Sequence, residues 1–525
     1  MVTNDLIAPE FYNITEELEK FSHDSNRQAI RWLNTQQDRR TISYVELVQK
    51  MNQYAHALTK KGVQKGDRVL VIIPRLPEAY FVFLGCLKAG IVPISCSEML
   101  RASDLEYRME HSSARSVIAY EAFTSEVDRI TSTVEALNNK LVIGTATGDW
   151  TSLDELASTQ PDTFTAAVTK RDDMAFLSYT SGTTGKPKGV VHSHGWGYAH
   201  IRTAASQWLC VREGDLVWAT AAPGWQKWIW SPFLSTIMLG ATAFVYHRRF
   251  DAKTYLQLLQ DEKVNVLCCT PTEYRIMAKL DHLKDYNLSS LRSAVSAGEP
   301  LNRPVIEAFM NNFGLKVRDG YGQTENTLLI GTLEHAELRS GSMGIPTPGN
   351  IVRIIDHEGN EAPIGEVGDI AVHKSSPALF KEYYREPERT QAAFRGDWYI
   401  TGDQAKCDED GYFWFEGRGD DIIISSGYTI GPFEVEDALN KHEAVQECAV
   451  VAAPDEIRGH IVKAFVILRE GYRDRDEDEL TKELQEHVKA LTAPYKYPRS
   501  IVFIDELPKT TSGKIRRIEL RAATV

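Results

Sequence analysis

The segment Tyr179-Thr-Ser-Gly-Thr-Thr-Gly-Lys-Pro-Lys-Gly189 places Thr180, Ser181, Thr183, Thr184, three glycines and two lysines in eleven positions. It leaves a short apolar run, Ala175–Tyr179, that reads as a strand, and it continues at once into Val190-Val191. Glycines let backbone N–H groups approach an anion, hydroxyls donate further hydrogen bonds, and lysines supply charge. These are the ingredients of a polyphosphate cradle on an α/β scaffold. The loop is not a Walker A loop, because Pro187 follows Gly-Lys where that motif needs Ser or Thr to hold a metal ion.

Upstream, helix and strand signals alternate. Ser43 with Glu46 forms a capping box. Leu47, Val48, Met51, Ala55 and Leu58 then recur at helical spacing until Gly62. Arg68–Ile73 reads as a buried strand, Pro77–Ala89 as a helix and Ile91–Ile94 as another strand. Such repetition predicts a parallel sheet covered on both faces. The alternation resumes after Asp172 and runs to about residue 330. Between Gly341 and Gly417 the texture changes to short β-type runs broken by Gly, Pro and Asp, which predicts a β-rich subdomain. Beyond Arg418, Pro432–Asn440 and Asp478–Lys489 read as helices, and Cys448–Ala453 and Val462–Leu468 as strands.

Composition sets bounds on the function. With 525 residues, 43% of them hydrophobic and 25% charged, the chain is an ordinary globular one of several folding units. The formal charge of −13 argues against nucleic acid or anionic lipid as a partner. Seven cysteines without zinc-ligand spacing read as free thiols of a reducing compartment. The first twenty residues are acidic where a signal peptide would be basic and apolar. The uncharged stretch Trp228–Tyr246 contains Pro232 and Gly240 and reads as a buried helix and strand, not a membrane span. The expectation is a cytoplasmic protein with no membrane and no nucleic-acid partner; its oligomeric state is not legible.

Five further motifs follow the phosphate loop in a fixed order: Ser296-Ala-Gly-Glu-Pro300, Asp319-Gly-Tyr-Gly-Gln-Thr-Glu325, Trp398-Tyr-Ile-Thr-Gly-Asp403, Gly417-Arg-Gly-Asp-Asp421 and Leu507-Pro-Lys-Thr-Thr-Ser-Gly-Lys514. Together they resemble the adenylate-forming superfamily of acyl-CoA synthetases, luciferases and peptide-synthetase adenylation domains. The resemblance covers nearly the whole chain. It implies an α/β fold with a large N-terminal domain of α/β subdomains plus a β-rich subdomain (1–417), a hinge (418–421) and a small mobile α+β C-terminal domain (422–525).

The resemblance also implies a reaction and its cofactors, ATP, Mg²⁺ and coenzyme A. A carboxylate attacks the α-phosphate of ATP, and the acyl-adenylate then passes its acyl group to the thiol of CoA. Two anions must meet, so catalysis consists of neutralising charge and positioning groups. By resemblance, Lys514, Glu325 and Thr180 are the catalytic group, and Glu325 is the metal ligand. The nucleotide and CoA ligands are Ser181, Thr183, Thr184, Lys188, Gly298, Glu299, Pro300, Asp319, Gly320, Tyr321, Gln323, Thr324, Asp403, Arg418, Ser426 and Gly427. Asp420 is the hinge. Trp225 and Gly322 line the acyl pocket; acetate-specific relatives carry Trp where Gly322 stands, so the pocket is expected to extend beyond two carbons. The expected acid is short to medium in chain length, branched chains included. A benzoate-like acid, or a carrier protein as acceptor, are the alternatives. Trp225, Trp228 and Trp230 read equally as pocket wall or core. His192 and His194 share a strand face but lack a third metal ligand.

Overall fold

The computed structural model describes residues 4–35, 38–130, 137–180, 186–298, 301, 303–419, 421–425, 428–455, 458–492, 495–509 and 515–523. The chain divides into two compact units. The first holds Met1–Leu338, Pro346–Ile351 and His373–Phe394; the second holds Arg339–Ile345, Val352–Val372 and Arg395–Val525. The β-rich stretch is thus divided, 341–345, 352–372 and 395–417 grouping with the C-terminal residues and 346–351 and 373–394 with the first unit, and position 418 falls inside the second unit.

Two sheets organise the first unit. One runs in the order Thr151–Ser152, Asn139–Ile143, Ser116–Tyr120, Arg68–Ile72, Val92–Ser95, Met174–Thr180, Lys188–Ser193. Its pairings are parallel until the last, where Met174–Thr180 and Lys188–Ser193 form an antiparallel pair. Arg68–Ile72 and Val92–Ser95 are buried almost throughout, which explains their unbroken apolar runs. The other sheet runs Leu328–Gly331, Val317–Gly322, Ser293–Ala297, Val266–Cys269, Leu216–Ala219, Thr242–Tyr246, Gln28–Leu33, Arg39–Ser43. It is parallel through its centre and antiparallel at both ends.

The helices form where the spacing places them. Tyr44–Lys60 starts at Ser43, whose hydroxyl accepts the Glu46 N–H at 3.1 Å. Pro77–Lys88 begins with proline in its first turn and is buried over nearly its whole length. The uncharged stretch does fold as a buried helix and strand: helical turns over Gln226–Ile237 precede Thr242–Tyr246. Its middle, Ile229–Leu234, is wound as a π-helix that includes Pro232, a residue with no N–H to give a regular ladder. Among the described residues, no helix is long and apolar enough to cross a membrane.

In the second unit, Val352–Ile355 pairs antiparallel with Gly368–His373, and Trp398–Cys407 pairs antiparallel with Phe413–Arg418. A smaller sheet runs Tyr428–Ile430, Ile423–Ser425, Gly459–Leu468, Val445–Asp455, with Ser500–Phe503 parallel to Gly459–Leu468. Helices Pro432–Asn440 and Glu477–Leu491 pack Val435, Leu439, Leu480, Leu484 and Val488 into its core. All seven cysteines are unpaired, and Cys407 alone among them is not fully buried.

Candidate active site

The phosphate loop leaves and returns at one point. Thr180 and Lys188, at its two ends, are cross-strand partners in the antiparallel pair. Ser181, Thr183 and Thr184 lie outside the described residues. The base of the loop is pinned by helix Ala102–Ser112. Its Tyr107 hydroxyl donates to the Pro187 carbonyl at 2.8 Å, and its His111 Nδ1 sits 2.8 Å from the Tyr179 hydroxyl. Lys186 lies over the Tyr107 ring.

Lys188 points into the first unit. Its ammonium is 2.5 Å from Glu325 Oε1 and 2.8 Å from the Tyr383 hydroxyl, and the Tyr383 ring lies beneath it at 4.4 Å. Tyr383 in turn donates to the same Glu325 oxygen at 2.9 Å. The phosphate-loop lysine and the expected metal ligand therefore meet, and a tyrosine that no sequence motif singles out joins them. Tyr383 arrives on residues 380–384, which run beside Gly189–Val191 as an extra strand. Lys381 N–H donates to Val191 O, Tyr384 N–H to Gly189 O, and Val191 N–H to Glu382 O. The same segment holds the other arm, because Phe380 N–H donates to Glu325 O at 2.7 Å.

The turn carrying Glu325 is fixed from below by three buried side chains at four-residue spacing. His192 Nε2 faces the Thr324 carbonyl at 2.6 Å, Trp196 Nε1 donates to the Asn326 carbonyl at 3.1 Å, and His200 Nδ1 meets the Thr327 hydroxyl at 2.5 Å. Carbonyl partners settle the tautomers. His192 carries its proton on Nε2, and so does His200, whose Nε2 faces Trp230 O at 2.9 Å. Trp196 stacks on His200 and leans on His192. Burial pushes the pKa of both histidines down to about 4, so they stay neutral at pH 7. His194 turns elsewhere and accepts the Ile14 N–H. The His192/His194 pair thus serves two separate hydrogen bonds, and among the described residues no metal-holding cluster forms.

The adenine motifs lie on neighbouring parallel strands, with Ser296 opposite Asp319 and Ala297 opposite Gly320. Gly298 sits at the end of the first strand with φ +109°, a conformation that favours glycine. Glu299 and Pro300 lie outside the described residues. Asp319 is half-buried, accepts the Gly320 and Leu301 N–H groups, and is pushed up to about 7 by loss of hydration around its carboxyl. Gly320 has no room for a side chain, since an added Cβ would stand 2.6 Å from the Trp208 indole. Tyr321, Gly322, Gln323 and Thr324 continue this strand into the clamped turn.

The acyl-side segment differs in its bonding. Gly224, at φ +101°, presses on the Ser97 backbone, and its N–H donates to the Ser95 hydroxyl. Trp225 is 36% exposed, whereas Trp228 is core, stacked on Phe233 and edge-on to Tyr80 and Phe83. Trp230 approaches Gly322: a Cβ there would lie 3.1 Å from its ring and 2.2 Å from Thr327 O. Of the three tryptophans, Trp225 is thus partly exposed, Trp228 and Trp230 are buried, and Trp230 borders Gly322. Three buried donors of this segment, Gln226 Nε2, Lys227 Nζ and Trp230 Nε1, have no hydrogen-bond acceptor among the described residues.

In the second unit, Asp403 is buried opposite Arg418 in the antiparallel pair, with Arg418 Nε 4.0 Å from Asp403 Oδ1. Asp420, Ser426, Gly427 and Lys514 lie outside the described residues. Their surroundings are well held. Lys509 pairs with Ile515 in an isolated β-bridge, Arg517 Nη2 donates to both carboxylate oxygens of buried Glu436 at 2.7 and 2.8 Å, and Arg521 pairs with Asp421.

AMP-binding enzymes, as a sequence family, match residues 19–384, and the AMP-binding enzyme C-terminal domain matches residues 434–514. The chain belongs to the AMP-binding enzyme family. It is 58% identical to the uncharacterized acyl-CoA ligase YtcI of Bacillus subtilis (strain 168), over 98% of this chain and 97% of that one. It is 40% identical to the mitochondrial acyl-coenzyme A synthetase ACSM3 of Homo sapiens, over 98% and 90% of the two chains. Among solved structures, an anthranilate CoA ligase complexed with anthranoyl-AMP aligns with TM-score 0.89 and 30% identity over 98% of both chains. Membership together with these acyl-CoA ligase relatives over nearly the whole chain makes the reaction class AMP-forming acyl-CoA synthesis from a carboxylic acid, ATP and CoA, with Mg²⁺. The residues present suit that ion: Glu325 offers hard carboxylate oxygen, and triphosphate oxygens and water complete such a site.

Proposed function

We propose that the chain converts short-to-medium-chain carboxylic acids, branched ones included, to their CoA thioesters in the cytoplasm. The observation that carries this reading is the aromatic setting of the acyl segment. Trp225 stands partly exposed, and Trp230 borders Gly322. A carboxylate is a poor acyl donor until its oxygen becomes part of a good leaving group, and AMP is one. In this reading Thr180, Ser181, Thr183, Thr184 and Lys188 hold the terminal phosphates, and Asp403 with Arg418 holds the ribose hydroxyls. Lys514 stabilises charge shared between the attacking carboxylate and the α-phosphate. When bound, Mg²⁺ neutralises phosphate charge, and Glu325 is the side chain that holds it. Residues 418–421 act as a hinge about Asp420. Turning there exchanges Lys514 for the Ser426–Gly427 loop, which admits the CoA thiol for the second half-reaction.

A benzoate-like acid is the second reading. It is favoured by the likeness to the anthranilate ligase and to a benzoate CoA ligase of Burkholderia xenovorans LB400, TM-score 0.84 at 30% identity over 97% and 100% of the two chains. Hydroxylamine trapping across linear C2–C10, branched C4–C5 and aromatic acids separates the two. Butyrate-to-octanoate acids should lead; acetate or benzoate leading would overturn the first reading. Lys514→Ala should cut adenylate formation by roughly 10²–10³-fold while sparing thioester formation from supplied acyl-adenylate. Equal loss in both steps would remove that role from Lys514.

A further inference from the structure

The groups expected to receive the metal ion and the triphosphate occupy one another. Lys188 Nζ and the Tyr383 hydroxyl both converge on Glu325 Oε1. The pair is largely shielded from solvent, with the Lys188 side chain 19% exposed and that of Glu325 7%. At such a site neither charge is readily left without its partner. Tyr383 cannot drift away, because residues 380–384 are hydrogen-bonded to the Lys188 strand on one side and to Glu325 O on the other. Its own N–H donates to the Thr390 hydroxyl.

We propose that Lys188 and Glu325 form a latch, braced by Tyr383, that releases only when a divalent cation and a polyphosphate arrive together. The inference rests on the assignment of these residues to the nucleotide site. A cation alone must displace the Lys188 ammonium and strand it; a polyphosphate alone must strip Lys188 from Glu325 and strand the carboxylate. When both arrive, each charge is handed to a new partner and none is left bare. Tyr383 keeps its hydroxyl on Glu325 throughout, so the carboxylate stays aimed while Lys188 changes partner. Each ligand therefore strengthens the other's binding by one shared coupling factor, as linkage requires.

The latch makes two predictions of unusual sign. Lys188→Met frees Glu325, so Mn²⁺ without nucleotide, followed by its electron paramagnetic resonance signal, should bind the full-length variant at least about fivefold tighter than wild type. Glu325→Gln frees Lys188, so ATP in the presence of EDTA, followed by calorimetry, should also bind about fivefold tighter. Both variants should bind Mn²⁺ and ATP together more weakly. Lys188→Gln provides a second probe should Lys188→Met fail to fold, as judged by circular dichroism. Unchanged or weakened single-ligand binding in the folded variants would overturn the latch. Failure of wild type to exchange pyrophosphate into ATP with any acid would instead overturn the enzymatic reading, and the binding measurements do not depend on it.

Discussion

The turn Gln323–Thr327 and the segment Trp225–Trp230 lie in the same unit, and Gly322 touches both, yet their polar groups are managed in opposite ways. In the turn, the Thr324 and Asn326 carbonyls and the Thr327 hydroxyl are held by His192, Trp196 and His200 in that order, and Gln323 N–H is capped by Asn326 Oδ1. Two atoms there lack partners among the described residues, His192 Nδ1 and Asn326 Nδ2, but each belongs to a side chain anchored elsewhere. In the segment, the Lys227 ammonium has no acceptor among the described residues and rests on the Trp208 and Trp230 rings. Buried donors without partners cost free energy. On the proposed assignment, the difference separates the part of the site where chemistry is fixed from the part that would receive a variable acyl group.

Acid is the broadest way to break the fixed part. His192, His194 and His200 are buried, and burial pushes each pKa down to about 4 from 6.5. The unfolded chain binds more protons between those values, so stability falls as pH drops below 6.5 and is fully lost from these groups below about 4. Each tenfold difference in proton affinity between the two states is worth about 1.4 kcal/mol, so the three imidazoles together withdraw several kcal/mol by pH 5. Melting temperatures from pH 7 to 5 should fall steeply for wild type. They should fall less steeply for His192→Gln, whose amide can still donate to Thr324 O. Identical slopes would show that the imidazole at 192 does not carry the effect.

How much of this is legible in the sequence follows from the kind of signal each residue leaves. Lys188, Glu325 and Asp403 stand out because their motifs are local and ordered along the chain. The helices Tyr44–Lys60 and Pro432–Asn440 stand out because caps and prolines mark their ends. Tyr383 leaves no such mark: it sits 58 residues from Glu325 and reaches it only through strand pairing with Gly189–Val191. The His192–Trp196–His200 ladder does carry a signal, polar aromatic residues every four positions. Reading His192 and His194 as neighbours on one strand hides that ladder, because the strand ends at Ser193 and Trp196 and His200 lie on the helix His194–His200 that follows.

Gly322→Ala attacks the seam between the two parts. Its Cβ would stand 2.2 Å from Thr327 O and 2.9 Å from Thr327 C, and backbone cannot yield as a side-chain tip can. The expected outcome is a loss of about 1–3 kcal/mol in denaturant unfolding, as for other overpacked interiors, with activity lost as Thr327 is displaced. A variant as stable as wild type would mean that the turn is not clamped. The close approach also refines what glycine does here: Trp230 and Thr327 fill the direction in which a larger residue would project.

Trp230→Phe tests the receiving part, with the smallest expected effect. The indole is buried, its ring borders Gly322, and its N–H has no acceptor among the described residues. Removing that N–H relieves an unmet donor, while the smaller ring leaves a void, and these two changes oppose each other in stability. The backbone carbonyl that holds His200 remains, so the clamp on the turn should survive and KM for ATP should not move. Longer or bulkier acids should gain on shorter ones by up to about tenfold in kcat/KM, the range one methylene-sized change in an apolar pocket commands. An unchanged ranking across C2–C10 acids would place Trp230 in the core with Trp228 and leave Trp225 as the aromatic residue facing the acyl chain.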